Sequence, residues 1–150
     1  MMDNDAKALQ LLEKAVQKAK SSLETELSFK PFLMLLDING DIKTIKNSAY
    51  TSKESYALLE DSLTSRVKQD DMQIAILTTD DTMPTRYTDG KVVPAMRLHI
   101  EEKSQLDKKI SARFIYVPYS LHRTENSDDI YVNLGTPIPV GFPSEYIKKT

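Results

Sequence analysis

Apolar residues recur at Leu9, Leu12, Val16, Ala19 and Leu23, three and four positions apart, with lysines and glutamates between them. That is the helical period, and it predicts an amphipathic helix over residues 5–26. One apolar stripe suits a helix covering one face of a sheet better than a dimer seam. Pro31 interrupts the pattern, and FLMLLDI follows with apolar residues on both alternating faces, as in a strand buried on both sides. Asn39-Gly40 then reads as a type I′ hairpin turn into the more polar strand DIKTIK. Thr51 and Glu54 have the spacing of a capping box, and Tyr56, Leu59, Leu63 and Val67 continue the helical period to a stop at Gln69-Asp70-Asp71.

The remainder reads as β structure. MQIAILTT is apolar on both faces and belongs in the middle of a sheet, and the polar loop DDTMPTRYTDGK after it fits a wide hairpin or a lip over a site. Beyond Pro94 the chain alternates, with Met96, Leu98 and Ile100 on one side and Arg97, His99 and Glu101 on the other. ISARFIYVPYSL predicts a strand ending near Pro118, SLHRTENSDD a polar connection, and IYVNL a last short strand. In the tail, residues 135–150, the prolines and glycines oppose a long regular element and favour extended packing along the domain edge. The fold class is therefore α+β, one domain over residues 1–150. Its order is helix, β-hairpin, helix, antiparallel meander, with both helices expected on one face of a five- to six-stranded sheet. Profilin-like and roadblock-like domains share this order and mostly scaffold other proteins, a parallel of fold alone.

Composition narrows the function by exclusion. With 40% hydrophobic residues the chain can bury an ordinary core. A formal charge of -2, with neither sign dominating a long segment, gives no footprint for nucleic acid. The absence of cysteine removes disulfides, thiolate nucleophiles and sulfur metal sites. No apolar run approaches the roughly 20 residues that span a bilayer, and MMDNDAKALQLLEKAV lacks the basic-then-apolar layout of a secretory leader. A cytoplasmic protein without membrane contact is expected.

Candidate chemistry is sparse. Asp37-Ile38-Asn39-Gly40-Asp41 resembles the start of a calcium loop, but the sixth and twelfth positions hold Ile42 and Ser48 instead of Gly and Glu. The segment reads as a turn fixed by its Asp side chains, and no metal site is expected. No nucleophile–histidine frame or glycine-rich phosphate loop appears, so no catalytic residue and no cofactor are assigned. Arg97, His99 and Arg113 form a weak ligand-binding candidate, a charged cross-strand patch suited to an anion or an acidic segment. The adjacent Asp80 and Asp81 point in alternate directions along their strand, and His122 beside Arg123 reads as loop surface. Tyr116, Tyr119 and Tyr131, with Phe142 and Tyr146 and with prolines interleaved, suggest a contact surface or a seal of the core against the tail.

FKPF at Phe29–Phe32, the Asn39-Gly40 turn, AILTTDDTMP, DGKVVPAMRLHIEE, RFIYVPY and YVNLGTPIP together resemble a widespread group of small bacterial proteins of unknown function. The resemblance implies a bacterial cytosolic protein and brings no catalytic residues. The expected function is a non-enzymatic protein-interaction or regulatory module, whose partner is another protein or a second copy. The alternative is a domain that binds a small anionic ligand, or a weakly marked enzyme.

Overall fold

A computed structural model describes residues 3–67 and 71–147, so the helix stop expected at Gln69-Asp70 lies outside the described residues. Helix α1 spans Asn4–Glu26, and its N-terminus is capped by the Asp3 carboxylate, which accepts the Ala6 N–H at 2.7 Å. Its C-terminus closes at Leu27, left-handed at φ 65°, whose N–H bonds the Leu23 carbonyl. The buried stripe is Ala8, Leu11, Ala15, Ala19 and Leu23; Leu12 and Val16 are only half-buried, and Leu9 is 58% exposed. The expected stripe is thus rotated by about one position over its first half. Alanines let the helix approach the sheet closely, and the larger side chains are displaced to the flank.

Strands β1, Phe32–Asp37, and β2, Ile42–Ile45, form the predicted hairpin with a different turn. Asp37 N–H donates to the Asp41 carbonyl, Gly40 N–H donates to the Asp37 carbonyl, and Gly40 alone in the loop has a positive φ, 85°. A type I′ turn would need a positive φ at Asn39 too. The loop is instead three residues long, a type I turn relieved by glycine. The Asp37 carboxylate accepts the N–H groups of Asn39 and Asp41, each at 2.9 Å, so its Oδ1 holds the bend. Helix α2, Ser52–Val67, begins at Thr51, whose hydroxyl accepts the Glu54 N–H at 3.1 Å.

Five further strands follow: β3 Met72–Thr82, β4 Pro94–Glu102, β5 Ala112–Arg123, β6 Ile130–Leu134 and β7 Ile138–Phe142. All pair antiparallel in one seven-stranded sheet, ordered β2-β1-β3-β4-β5-β6, with β7 also on β5. Two expectations are corrected here. β5 continues through Pro118 to Arg123, because Pro118 needs only its carbonyl, which accepts the Gly135 N–H at 2.7 Å. The tail contributes β7, paired with Ala112–Tyr116, while β6 pairs with Tyr119–Arg123.

The helices lie on opposite faces, not on one. Phe32, Met34 and Leu36 of β1 with Ile74 and Ile76 of β3 pack under α1; Leu33, Leu35, Ala75 and Leu77 pack with Leu59 and Leu63 of α2. A strand apolar on both faces leaves one face in water unless each is covered, so β1 and β3 require two helical layers. Each leucine buried in these layers contributes roughly 1.5–3 kcal/mol. The α1 layer extends to β6, where the Glu24 carboxylate accepts the Val132 N–H at 3.0 Å.

Candidate functional site

Arg97, His99 and Glu101 alternate along β4 and so share the face on the α2 side. β4 is central, flanked by β3 and β5, and its register sets Leu77 and Phe114 beside His99, and Thr79 and Tyr116 beside Arg97. α2 packs on β1 and β3. Over β4 and β5 the cover is the segment after β7, with Phe142 and Tyr146 closing on the histidine.

His99 is 3% exposed and Glu101 1%. The His99 Nε2 lies 2.7 Å from a Glu101 oxygen, and its ring is boxed by Phe114, Phe142 and Tyr146 at centroid distances of 5.2, 5.0 and 5.4 Å. The Glu101 carboxylate also accepts three consecutive backbone N–H groups, from Glu145, Tyr146 and Ile147, at 3.0, 3.0 and 2.9 Å. Burial pushes this carboxyl up, but the hydrogen bonds from His99 and the three amides outweigh it and hold it below its ordinary value. Tyr146 donates its hydroxyl to Glu60 on α2, and burial together with that carboxylate raises the phenol. Ser111 and Ser144 share a 2.6 Å hydrogen bond, a second anchor between the chain before β5 and the tail.

Arg97 lies nearer the rim. Its guanidinium is 3.2 Å from Asp81 and sits over the rings of Phe114 and Tyr56, 4.7 and 5.4 Å from their centroids. Burial raises the Tyr56 phenol against the opposing influence of Arg97. The Arg97 Nε is buried and has no hydrogen-bond partner.

The sequence candidates separate in space. Arg113 does not join Arg97 and His99: it stands opposite Ile100, on the α1 side, 3.5 Å from Glu102. The β4–β5 register places even-numbered β5 residues opposite odd-numbered β4 residues, which turns Arg113 away. Tyr116 is on the His99 face, whereas Tyr119 is on the α1 face, half-buried, and donates to Asp80 at 2.7 Å. That contact and burial raise the Tyr119 phenol, and burial raises the Asp80 carboxyl. Tyr131 is exposed and stacks on His122 at 5.3 Å, and the His122 ring bonds Ser120 at 2.7 Å. The three tyrosines thus do not form one surface. Asp80 and Asp81 point to opposite faces, toward Tyr119 and Arg97 respectively.

Tyr56, Glu60, Phe142 and Tyr146 complete the cluster; Phe142 and Tyr146 were among the aromatics read from the sequence, whereas Tyr56 and Glu60 were not singled out as site residues. Tyr56 and Glu60 stand four apart on α2, a spacing that places both on one helix face. Chemically the cluster is an anchor: a buried carboxylate that accepts backbone donors, locked by a histidine within rings. Elsewhere, Leu9, Leu12 and Val16 on the flank of α1 line an open groove of about 470 Å³ with Leu98, Ile115 and Val117. No helix among the described residues is long and apolar enough to cross a membrane. Compared with known proteins, the chain matches no family model, no curated protein and no solved structure.

Proposed function

We propose that this protein is a non-enzymatic interaction module that binds another protein. The observation that carries this reading is the second apolar stripe of α1. Ala8, Leu11, Ala15, Ala19 and Leu23 already face the sheet, yet Leu9, Leu12 and Val16 form a parallel row that lines the open groove. Leu12 and Val16 also pack against the core but stay half-exposed, and with the exposed Leu9 they leave an apolar margin on the groove that suits an apolar segment of a partner. The polar cluster supports the same reading from the other side. His99 and Glu101 serve the tail, so the residues with most chemistry to offer are turned inward.

Leu9→Glu tests this reading, since Leu9 is exposed and its replacement spares the core. The wild-type protein is expected to retain a stoichiometric partner from its host, and Leu9→Glu to lose it about tenfold or more at an unchanged melting temperature. Equal capture by the variant, or a wild-type chain that binds nothing, would overturn the reading. One observation favours a second reading, a small anion held at Arg97: the guanidinium reaches the rim between two rings and its Nε has no hydrogen-bond partner. Thermal stabilisation by a carboxylate or phosphate compound, abolished in Arg97→Ala, would establish it.

A further inference from the structure

Among the described residues β2 is the outermost strand of the sheet, paired on one side only, with β1. The Asp37 N–H bonds the Asp41 carbonyl, and the register continues through Leu35 with Lys43 and Leu33 with Ile45. In an antiparallel ladder alternate residues carry the bonds, so Lys43 and Ile45 direct their backbone groups at β1. Those of Ile42 and Thr44 therefore point away from the sheet.

Beside this edge, between the exit of β2 and α2, lies a groove of about 570 Å³. Its walls include Ile45, Asn47, Leu58, Ser62 and Ser65, and Leu58 is 50% exposed although it lies on a packed helix. An open strand edge next to a helix-walled groove is the geometry in which an extended peptide adds a strand and seats alternate side chains.

Charge selects the occupant. Lys43 and Lys46 are exposed on the edge, and among the described residues neither forms an ion pair with a carboxylate. Lys18 of α1 comes up to Lys46, and contact with that second cation, then burial, lowers its ammonium from the ordinary lysine value. Arg66 also lines the groove and is 3.6 Å from Asp71; Asp61 is the acid on the lining. A second copy would bring its own Lys43, on the four-residue strand, and Lys46, just beyond it, against the same edge, which like-charge repulsion disfavours. An acidic segment would relieve the crowding.

We propose that the open edge of β2 takes an extended acidic segment of a partner protein as an additional strand, with alternate aliphatic side chains in the groove beside α2. This deepens the interaction-module reading and rests on it, but uses a surface separate from the α1 groove.

The test is fluorescence polarisation on the full chain with dye-labelled peptides of about ten residues that alternate acidic and aliphatic side chains. Matched basic peptides serve as controls. Thr44→Pro deletes an outward N–H while leaving the bonds to β1 in place, and is expected to weaken the acidic peptides about tenfold or more. The pair Lys43→Glu and Lys46→Glu is expected to reverse the preference towards the basic peptides and decides the matter if Thr44→Pro unfolds. Slowed amide exchange at Thr44 in the complex is the direct sign of a paired strand. No acidic peptide binding, equal binding of both sets, or binding that survives both changes would overturn the proposal. Dimerisation lost in Thr44→Pro would assign the edge to a second copy and overturn it too. Leu9→Glu is expected to bind the peptides normally, so failure at this edge is distinguishable from failure of the interaction reading, which the α1 groove tests independently.

Discussion

The two faces of the sheet are covered by different means. Toward α1 the middle of the face is apolar, from Phe32 and Met34 through Ile76 and Leu98 to Val117 and Val132, with Glu102 and Arg113 paired at one end and Asp80 and Tyr119 at the other, and one 23-residue helix lies on it. Toward α2 the face begins the same way at Leu33, Leu35 and Leu77, then changes at β4 and β5 to Arg97, His99, Glu101, Phe114 and Tyr116. The change coincides with the change of cover. A helix satisfies its own backbone and asks only for an apolar surface, whereas an irregular segment arrives with free N–H groups. Glu101 is the acceptor for three of those groups, so a buried charge here follows from covering a sheet with irregular chain.

Replacing the acceptor breaks the comparison most severely. Glu101→Ala leaves three amides and His99 without their carboxylate and is expected to cost about 4 kcal/mol, because several buried donors lose one charged acceptor. Amide exchange at Glu145, Tyr146 and Ile147 should rise far more than exchange in α1. Uniform loss of protection would count against the anchor. Leu98→Ala on the other face is expected to cost about 3 kcal/mol by the cavity it leaves, lowering protection across the core without singling out the tail.

Acid should separate the faces more gently. Glu101 is held below its ordinary value, so the stability it contributes is present above the unfolded glutamate pKa of about 4.3 and is lost as pH falls through the lower folded value. Below about pH 4 the tail amides are expected to exchange faster before α1 does, and simultaneous loss would contradict this. The smallest effect is expected of Arg97→Met, which keeps an aliphatic stem between Tyr56 and Phe114 and should cost under about 1 kcal/mol in a denaturant titration. A larger cost would mean that the ion pair with Asp81 organises this face more than stacking does.

What the sequence made legible follows from what is periodic in it. The elements through β4 and the alternation of Arg97, His99 and Glu101 were readable, because strand and helix periods are local. The burial of that face was not, because its cover is a proline-rich tail without a period. The first half of the α1 stripe was misplaced because alanine at positions 8 and 15 carries little hydropathy yet fits closest to the sheet, whereas Ala19 and Leu23 were placed correctly. Arg113 was assigned to the wrong face because the register between β4 and β5 depends on how the intervening loop closes. The edge position of β2 was likewise hidden, since sequence neighbours show which strands pair but not which strand remains open.

The Glu101 anchor also bears on the order in which the molecule assembles. The β3–β4 and β4–β5 pairings join near neighbours in the chain and can form early, but the amides that Glu101 requires lie 44 to 46 residues further on. A carboxylate dehydrated before they arrive would have only His99 as a partner, an under-compensated charge costing several kcal/mol. The β4–β5 hairpin is therefore expected to keep this side wet while the α1 face collapses, with water leaving as the tail docks. One side chain thereby dictates that the two halves of the core close in sequence, the aliphatic one first.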